Sequence, residues 1–154
     1  MLDSLPDNRL HLTRYELYRD TNYCVPDYIK LGKAYLLAKI LIVDDDAVTV
    51  SLLETLLELD GFEVLIARRG ADVLPKMAED KPDLMMIDYH LTDTEGVVVI
   101  REVRAHADFK DIPIVMASGM DMSYEAMEAG ANEFLIKPFE PGDLPELFNR
   151  LIAG

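Results

Sequence analysis

A carboxylate at the end of an apolar run is the first candidate for chemistry in this chain. Residues 84–87 (LMMI) are all apolar, and Asp88 follows them directly. An uninterrupted apolar run is typical of a strand buried on both faces of a parallel sheet. Open α/β sheets place their reactive groups just beyond the carboxyl ends of such strands. Because a carboxylate can act as a nucleophile and form an acyl phosphate, Asp88 is predicted to accept a phosphoryl group.

Other polar residues follow other apolar runs in the same way. Asp44, Asp45 and Asp46 come after the first predicted strand, Ser118 after the fourth and Lys137 after the fifth. In a doubly wound sheet of order 2-1-3-4-5, these positions and Asp88 meet at one edge. Asp46 is better placed to cap the first helix than to bind a ligand.

Clustered carboxylates repel one another, and a hard divalent cation relieves that repulsion. Mg²⁺ prefers one or two protein carboxylates together with waters and phosphate oxygens. A phosphoryl group in transit spreads charge over three oxygens, which a metal ion, a cation and a hydroxyl donor stabilise. Mg²⁺ on the acidic cluster, Lys137 and Ser118 would supply these three. The edge is therefore predicted to perform Mg²⁺-dependent phosphoryl transfer.

The elements that position these residues alternate regularly along the chain. Apolar runs predict strands over residues 40–43, 62–67, 84–87, 112–117 and 134–136. Helical patterns lie between and after them, over residues 47–59, 71–79, 95–107 and 123–129 and from Asp143, the predicted helix cap, onward. Pro75 predicts a kink or a late start in the second helix. Such alternation predicts an α/β fold with a five-stranded parallel sheet flanked by five helices.

Composition restricts the setting and the partners. The chain has 154 residues and a net charge of −14, and residues 1–38 carry equal numbers of acidic and basic side chains. The negative charge of residues 39–154 makes direct nucleic-acid binding unfavourable. Cys24 is the only cysteine, and the longest apolar stretch is too short for the ~20 residues of a membrane span. We therefore expect a cytoplasmic protein without membrane contact.

Residues 1–38 differ from the rest of the chain and are predicted to form an N-terminal arm. They hold five of the seven tyrosines and are too few to bury a core of their own. Short helices are compatible with residues 9–19 and 27–37. The arm is expected to pack on the main domain and to support a homodimer, while a misassigned start codon is the alternative.

Four segments resemble, in order and spacing, the motifs of the response-regulator receiver domain. They are ILIVDDD, MMIDYHL, IPIVMASG and GANEFLIKPF, and the resemblance covers residues 39–154. It implies a flavodoxin-like or CheY-like fold, with a histidine kinase or phosphotransfer protein as phosphoryl donor. No output domain follows the fifth helix in this sequence, so a single-domain regulator that signals to a downstream protein target is expected. Such a module is not an enzyme beyond catalysing its own phosphorylation and dephosphorylation.

The resemblance also implies a role for each site residue. Asp88 is the phosphoacceptor, and Mg²⁺ is held by Asp88, Asp45, Asp44 through water, and the backbone carbonyl of His90. Lys137 takes the position of the family's lysine, and its bond to Pro138 is expected to be cis. The switch pair is Ser118 with the aromatic residue Phe134.

Three features depart from the family pattern. Thr92 stands where the family commonly has proline, which is expected to loosen the loop after Asp88. His90 and Met120 occupy the two variable positions that influence the lifetime of the phosphoryl group. The segment between Ser118 and Lys137 is short, so the fourth helix is expected to be trimmed.

Two alternative functions fit parts of the same pattern. An aspartyl-nucleophile phosphatase would need a second acid two residues after Asp88, where this chain has His90. A receiver-like scaffold that no longer switches would tolerate Thr92 and a short fourth helix, but it would not require the intact acidic cluster and Lys137.

Overall fold

A five-stranded parallel sheet forms the centre of the computed structural model, which describes residues 29–31 and 34–154. Two short strands precede it, β1 (Ile29–Leu31) and β2 (Ala34–Leu36). The sheet strands are β3 (Lys39–Val43), β4 (Glu63–Ala67), β5 (Leu84–Asp88), β6 (Ile114–Ser118) and β7 (Glu133–Ile136). Their spatial order is β4-β3-β5-β6-β7, which is the predicted order 2-1-3-4-5 counted from β3. The fold prediction is confirmed.

Five α-helices connect and follow the sheet strands. They are α1 (Ala47–Leu59), α2 (Val73–Asp80), α3 (Gly96–Ala105), α4 (Ser123–Ala129) and α5 (Leu144–Ala153). Asp46 caps α1 as predicted, because its carboxylate accepts a hydrogen bond from the backbone N–H of Thr49 at 3.1 Å. Helix α4 has seven residues, as the short spacing between Ser118 and Lys137 predicts.

Alternate residues of the central strands face two separate hydrophobic cores. In β3, Leu41 and Val43 pack on the side of α2, α3 and α4, whereas Ile40 and Ile42 pack on the side of α1 and α5. The strands are therefore buried on both faces, which explains their uninterrupted apolar sequences. This double burial holds the strand ends, and the polar residues that follow them, in fixed positions.

The starts of two helices depend on local chemistry. The second helix starts late, as Pro75 predicts: a 3₁₀ turn (Gly70–Asp72) comes first and the α-helix begins at Val73, so Pro75 lies in its first turn, where it is tolerated. Asp143 was expected to cap the last helix, but it has helical backbone angles and makes no capping hydrogen bond. A 3₁₀ turn (Pro141–Asp143) starts the helical path earlier, and the side chain of Glu140 caps that turn.

The helix predicted over residues 27–37 is wrong. Strands β1 and β2 pair there in antiparallel fashion, with Leu31 opposite Ala34. The sequence of the predicted helix also contains Gly32, and glycine disfavours helices. The other predicted helix of the arm, residues 9–19, and the predicted arm-mediated dimer lie outside the described residues.

No helix in the described residues is long and apolar enough to cross a membrane. The longest of them, α1, has 13 residues, whereas a spanning helix needs ~20.

Candidate functional site

Asp88 ends the central strand β5, and each of its carboxylate oxygens accepts a hydrogen bond. Its Oδ1 lies 2.7 Å from Nζ of Lys137, and its Oδ2 accepts a hydrogen bond of 2.8 Å from the backbone N–H of His90. The Asp88 side chain is 14% exposed, so a donor can still reach it from solvent. A carboxylate that is held in one orientation and remains accessible is suited to nucleophilic attack.

Lys137 connects Asp88 to a second carboxylate. Its Nζ lies 3.2 Å from Oδ2 of Asp44, whose residue is only 5% exposed. Burial raises the pKa of Asp44, although the N–H of Asp46 and the ammonium group of Lys137 oppose that shift. Burial acts to lower the pKa of Lys137, but the hydrogen bond to Asp88 and the charges of Asp44 and Asp88 outweigh it and raise that pKa. Lys137 therefore remains an ammonium ion at neutral pH.

Close packing at the start of α3 fixes the backbone that follows Asp88. The N–H of Gly96 donates to the carbonyl of Tyr89 at 2.6 Å. A Cβ at position 96 would lie 2.3 Å from the carbonyl oxygen of Asp88, a distance that no side chain could occupy. Gly96 thus allows α3 to approach the end of β5, and it restricts the path of the backbone at Asp88.

The predicted switch pair lies on the two strands beyond Asp88. Ser118 ends β6 and is 1% exposed, and its Oγ accepts a hydrogen bond of 3.2 Å from the N–H of Met120. Its carbonyl accepts from the N–H of Lys137 at 2.7 Å, so its connection to the Lys137 group runs through the backbone. Phe134 lies on β7 opposite Met116 and is partly buried against the α2–α4 side of the core. The Lys137–Pro138 bond is cis, as predicted.

The remaining predicted residues surround the Asp88–Lys137–Asp44 group. Asp45 is exposed, and its carboxylate accepts a hydrogen bond of 2.6 Å from the hydroxyl of Thr92. His90 is also exposed, and its ring lies edge-on against that of Tyr89. The side chain of Met120 is exposed as well. The structure thus joins Asp44, Asp88 and Lys137 directly and places Asp45 with Thr92.

The donor atoms at this edge fit Mg²⁺. In the part of the chain that the structure describes, no three carboxylate, imidazole or thiol side chains form a ready metal-binding group. Mg²⁺ does not require such a group, because it takes one or two carboxylates and completes its shell with water and phosphate oxygens. Asp44, Asp45 and Asp88 offer carboxylate oxygens, and each oxygen keeps acceptor capacity beyond its present hydrogen bond.

Sequence reasoning missed two contacts of the loop that follows Asp88. One is the hydrogen bond from Thr92 to Asp45. The other is made by Asp93, whose carboxylate accepts from the backbone N–H groups of Gly70 and Ala71 at 2.8 and 3.0 Å. These contacts join loops separated by more than 20 residues, and neither hydrophobic periodicity nor motif spacing reports them.

Comparison with known proteins places this arrangement in a family. The protein-family model of the response regulator receiver domain matches residues 40–149. The transcriptional regulatory protein PrrA of Mycobacterium bovis is 36% identical over 109 residues, which cover 69% of this chain and 46% of PrrA. The regulator PhoP of alkaline phosphatase synthesis in Bacillus subtilis is 34% identical over 69% of this chain and 45% of its own length. The chain therefore spans about half the length of these curated relatives.

Solved structures show the same similarity. A CheY-like response regulator receiver domain protein from Methanospirillum hungatei has a TM-score of 0.70 and 31% identity, covering 76% of this chain and 94% of that one. The receiver domain of a sensor histidine kinase from Pseudomonas aeruginosa, with a magnesium ion in its active-site cleft, has a TM-score of 0.70 and 26% identity. It covers 76% of this chain and 98% of that one. Since the family model matches well over half of the chain, this protein belongs to the response regulator receiver domain family.

Proposed function

We propose that this chain accepts a phosphoryl group on Asp88 from a phosphohistidine of a histidine kinase or phosphotransfer protein. The observation that supports this proposal best is the arrangement of Asp88 itself. It ends a strand buried on both faces and is held by Lys137 at 2.7 Å and by the His90 N–H at 2.8 Å. In the transfer, a carboxylate oxygen of Asp88 bonds to phosphorus while the bond between phosphorus and the donor nitrogen breaks, with the electron pair leaving on the donor nitrogen.

The other residues of the site act on the charge of the transferred group. The ammonium of Lys137 neutralises negative charge on the phosphoryl oxygens, since those oxygens carry the charge of the transition state. Asp45, Asp88 and the carbonyl of His90, with Asp44 through water, would hold a Mg²⁺ ion that supplies further neutralisation when bound. The hydroxyl of Ser118 can turn from Met120 to the phosphoryl group, and this movement would be coupled to Phe134 in the switch.

We further propose that the phosphorylated chain acts on other proteins rather than on a small-molecule substrate. The exposed apolar residues Tyr124, Met127 and Ile136, on α4 and β7, support a protein-binding surface near the switch residues. The net charge of −14 argues against direct contact with nucleic acid by this chain. A cytoplasmic setting is part of the same proposal, because a chain with a single cysteine fits a reducing compartment.

Phosphorylation with a small-molecule donor tests the proposal. Wild type, Asp88→Asn and the control Asp108→Asn are incubated with acetyl phosphate and Mg²⁺, and intact mass is measured. We expect wild type and the control, whose exposed carboxylate lies outside the site, to gain the mass of one phosphoryl group. Asp88→Asn should gain none, because the amide is not a nucleophile for this reaction.

Three results would contradict the proposal. Equal labelling of Asp88→Asn and wild type would place the acceptor elsewhere. A wild type that takes no label and gives no change in its amide spectrum with beryllofluoride would instead favour the non-switching scaffold. Sustained turnover of an aryl phosphate, abolished in Asp88→Asn, would indicate the phosphatase alternative.

A further inference from the structure

The hydroxyl of Thr92 connects the loop after β5 to the acidic loop after β3. Its Oγ1 donates to Oδ2 of Asp45 at 2.6 Å, across 47 positions of sequence. Valine has the same shape as threonine but no hydroxyl, so it could not make this contact. The bond therefore depends on the Thr92 hydroxyl itself.

The loop that carries Thr92 is fixed on both sides of it. On one side, the N–H of Leu91 donates to the carbonyl of Thr94 at 3.0 Å. On the other, the carboxylate of Asp93 accepts from the N–H groups of Gly70 and Ala71. The Thr92 hydroxyl is thus presented to Asp45 by a bound loop, which lowers the entropy cost of keeping the hydrogen bond.

This hydrogen bond competes with a cation for Asp45. Asp44 and Asp88 are joined by Lys137, but Asp45 is bound to Thr92, and no three-carboxylate group forms among the described residues. The donated proton occupies an acceptor position of Oδ2 and orients the carboxylate toward Thr92. We propose that Thr92 restrains Asp45 and so weakens divalent-cation binding at this edge, an inference that rests on the Mg²⁺ dependence in the proposed function.

Mg²⁺ titration of the full chain without a phosphoryl donor tests this role. Affinity is measured by calorimetry and by amide shifts for wild type, Thr92→Val, Thr92→Ser and Thr94→Val. Thr92→Val keeps the shape but removes the donor, and we expect its Kd for Mg²⁺ to fall on the order of fivefold, the worth of one modest hydrogen bond. Thr92→Ser retains a hydroxyl, and Thr94→Val makes the same change two residues away. Both should keep the wild-type Kd.

A second measurement keeps the proposal testable if Thr92→Val does not fold. In wild type, the methyl resonance of Thr92 should move on Mg²⁺ addition with the same saturation curve as the amide of Asp45. The proposal would be overturned if the methyl resonance of Thr92 did not move. It would also be overturned if the Kd of Thr92→Val for Mg²⁺ equalled or exceeded that of wild type. If wild type phosphorylates normally but all Kd values agree, only the role of Thr92 fails. Absence of Mg²⁺ binding by every variant would refute both the role and the Mg²⁺ dependence.

Discussion

The two ends of the central sheet use similar polar side chains for different contacts. At the amino end, Arg104 donates to the backbone carbonyls of Gly130, Lys110 and Ile112, and Asn132 accepts from the N–H of Ile114. At the carboxyl end, Asp44, Asp88 and Lys137 bind one another. Side chains that bind backbone atoms stabilise the fold. Charged side chains that bind one another can instead bind a cation or a phosphoryl group.

The difference has an energetic reason. A backbone group that loses its partner inside the protein is left unsatisfied, at a cost of about 1–3 kcal/mol. A charge that loses a neighbouring charge at a partly open edge can be solvated or can bind an ion instead. The amino end should therefore be sensitive to substitution in its stability, and the carboxyl end in its chemistry.

Arg104→Ala should give the largest loss of stability. It removes four hydrogen bonds, three of them to carbonyls and one to the side chain of Asn132. We expect the free energy of unfolding to fall by about 2–4 kcal/mol, since several acceptors lose their donor together. Urea unfolding measures the change.

The matched control for that variant is Arg101→Ala, on the same helix α3 but exposed. Its free energy of unfolding should stay within about 0.5 kcal/mol of wild type, as for ordinary surface substitutions. The folded fraction of Arg104→Ala should still be phosphorylated on Asp88. Equal effects of the two substitutions would remove the distinction between the ends of the sheet.

Asp44→Asn, at the carboxyl end of the sheet, should raise the stability of the protein rather than lower it. Burial raises the pKa of Asp44, so its ionised form at neutral pH is disfavoured by the folded state. The amide removes that cost, still accepts from the N–H of Asp46, and leaves the pair of Lys137 and Asp88 in place. We therefore expect the free energy of unfolding without Mg²⁺ to rise, because the cost of burying the charge is removed.

The pH dependence of that gain follows from the direction of the shift. Wild-type Asp44 becomes protonated as the pH falls through its raised folded-state pKa, and the cost of its charge then disappears. The advantage of Asp44→Asn should therefore be fully present at neutral pH and shrink in acid. Thermal unfolding at neutral and acidic pH measures it. A loss of stability at neutral pH would mean that the pairing with Lys137 outweighs the burial of charge.

The sequence predicted what the repeating pattern of strands and helices determines. Once β3, β5 and β7 are placed in a doubly wound sheet, Asp44, Asp88 and Lys137 must meet, and their contact in the structure agrees with that reasoning. The roles assigned to these residues, and to Asp45, Ser118, Phe134 and His90, stay predictions. The pairing of Thr92 with Asp45 was not predictable, because loop conformation has no period and depends on contacts between distant segments.

Asp93 lies at the carboxyl end of the sheet, but its carboxylate binds backbone N–H groups. In this it resembles the polar side chains at the amino end, which also bind backbone groups. Hydrogen bonds from Ala71 and Gly70 lower its pKa below the ordinary 3.8. A carboxylate with a lowered folded-state pKa adds stability at pH values above its unfolded pKa, and that stability is lost as the pH falls through the folded value. Wild type should therefore exceed Asp93→Asn in stability most at neutral pH, and the difference should close in acid. Because Asp93 is exposed, this should be the smallest of these effects, and urea midpoints of the two proteins over a pH series measure it. A difference independent of pH would show that the protonated carboxyl group accepts from Gly70 and Ala71 as well as the carboxylate does, so that charge contributes nothing to the contact.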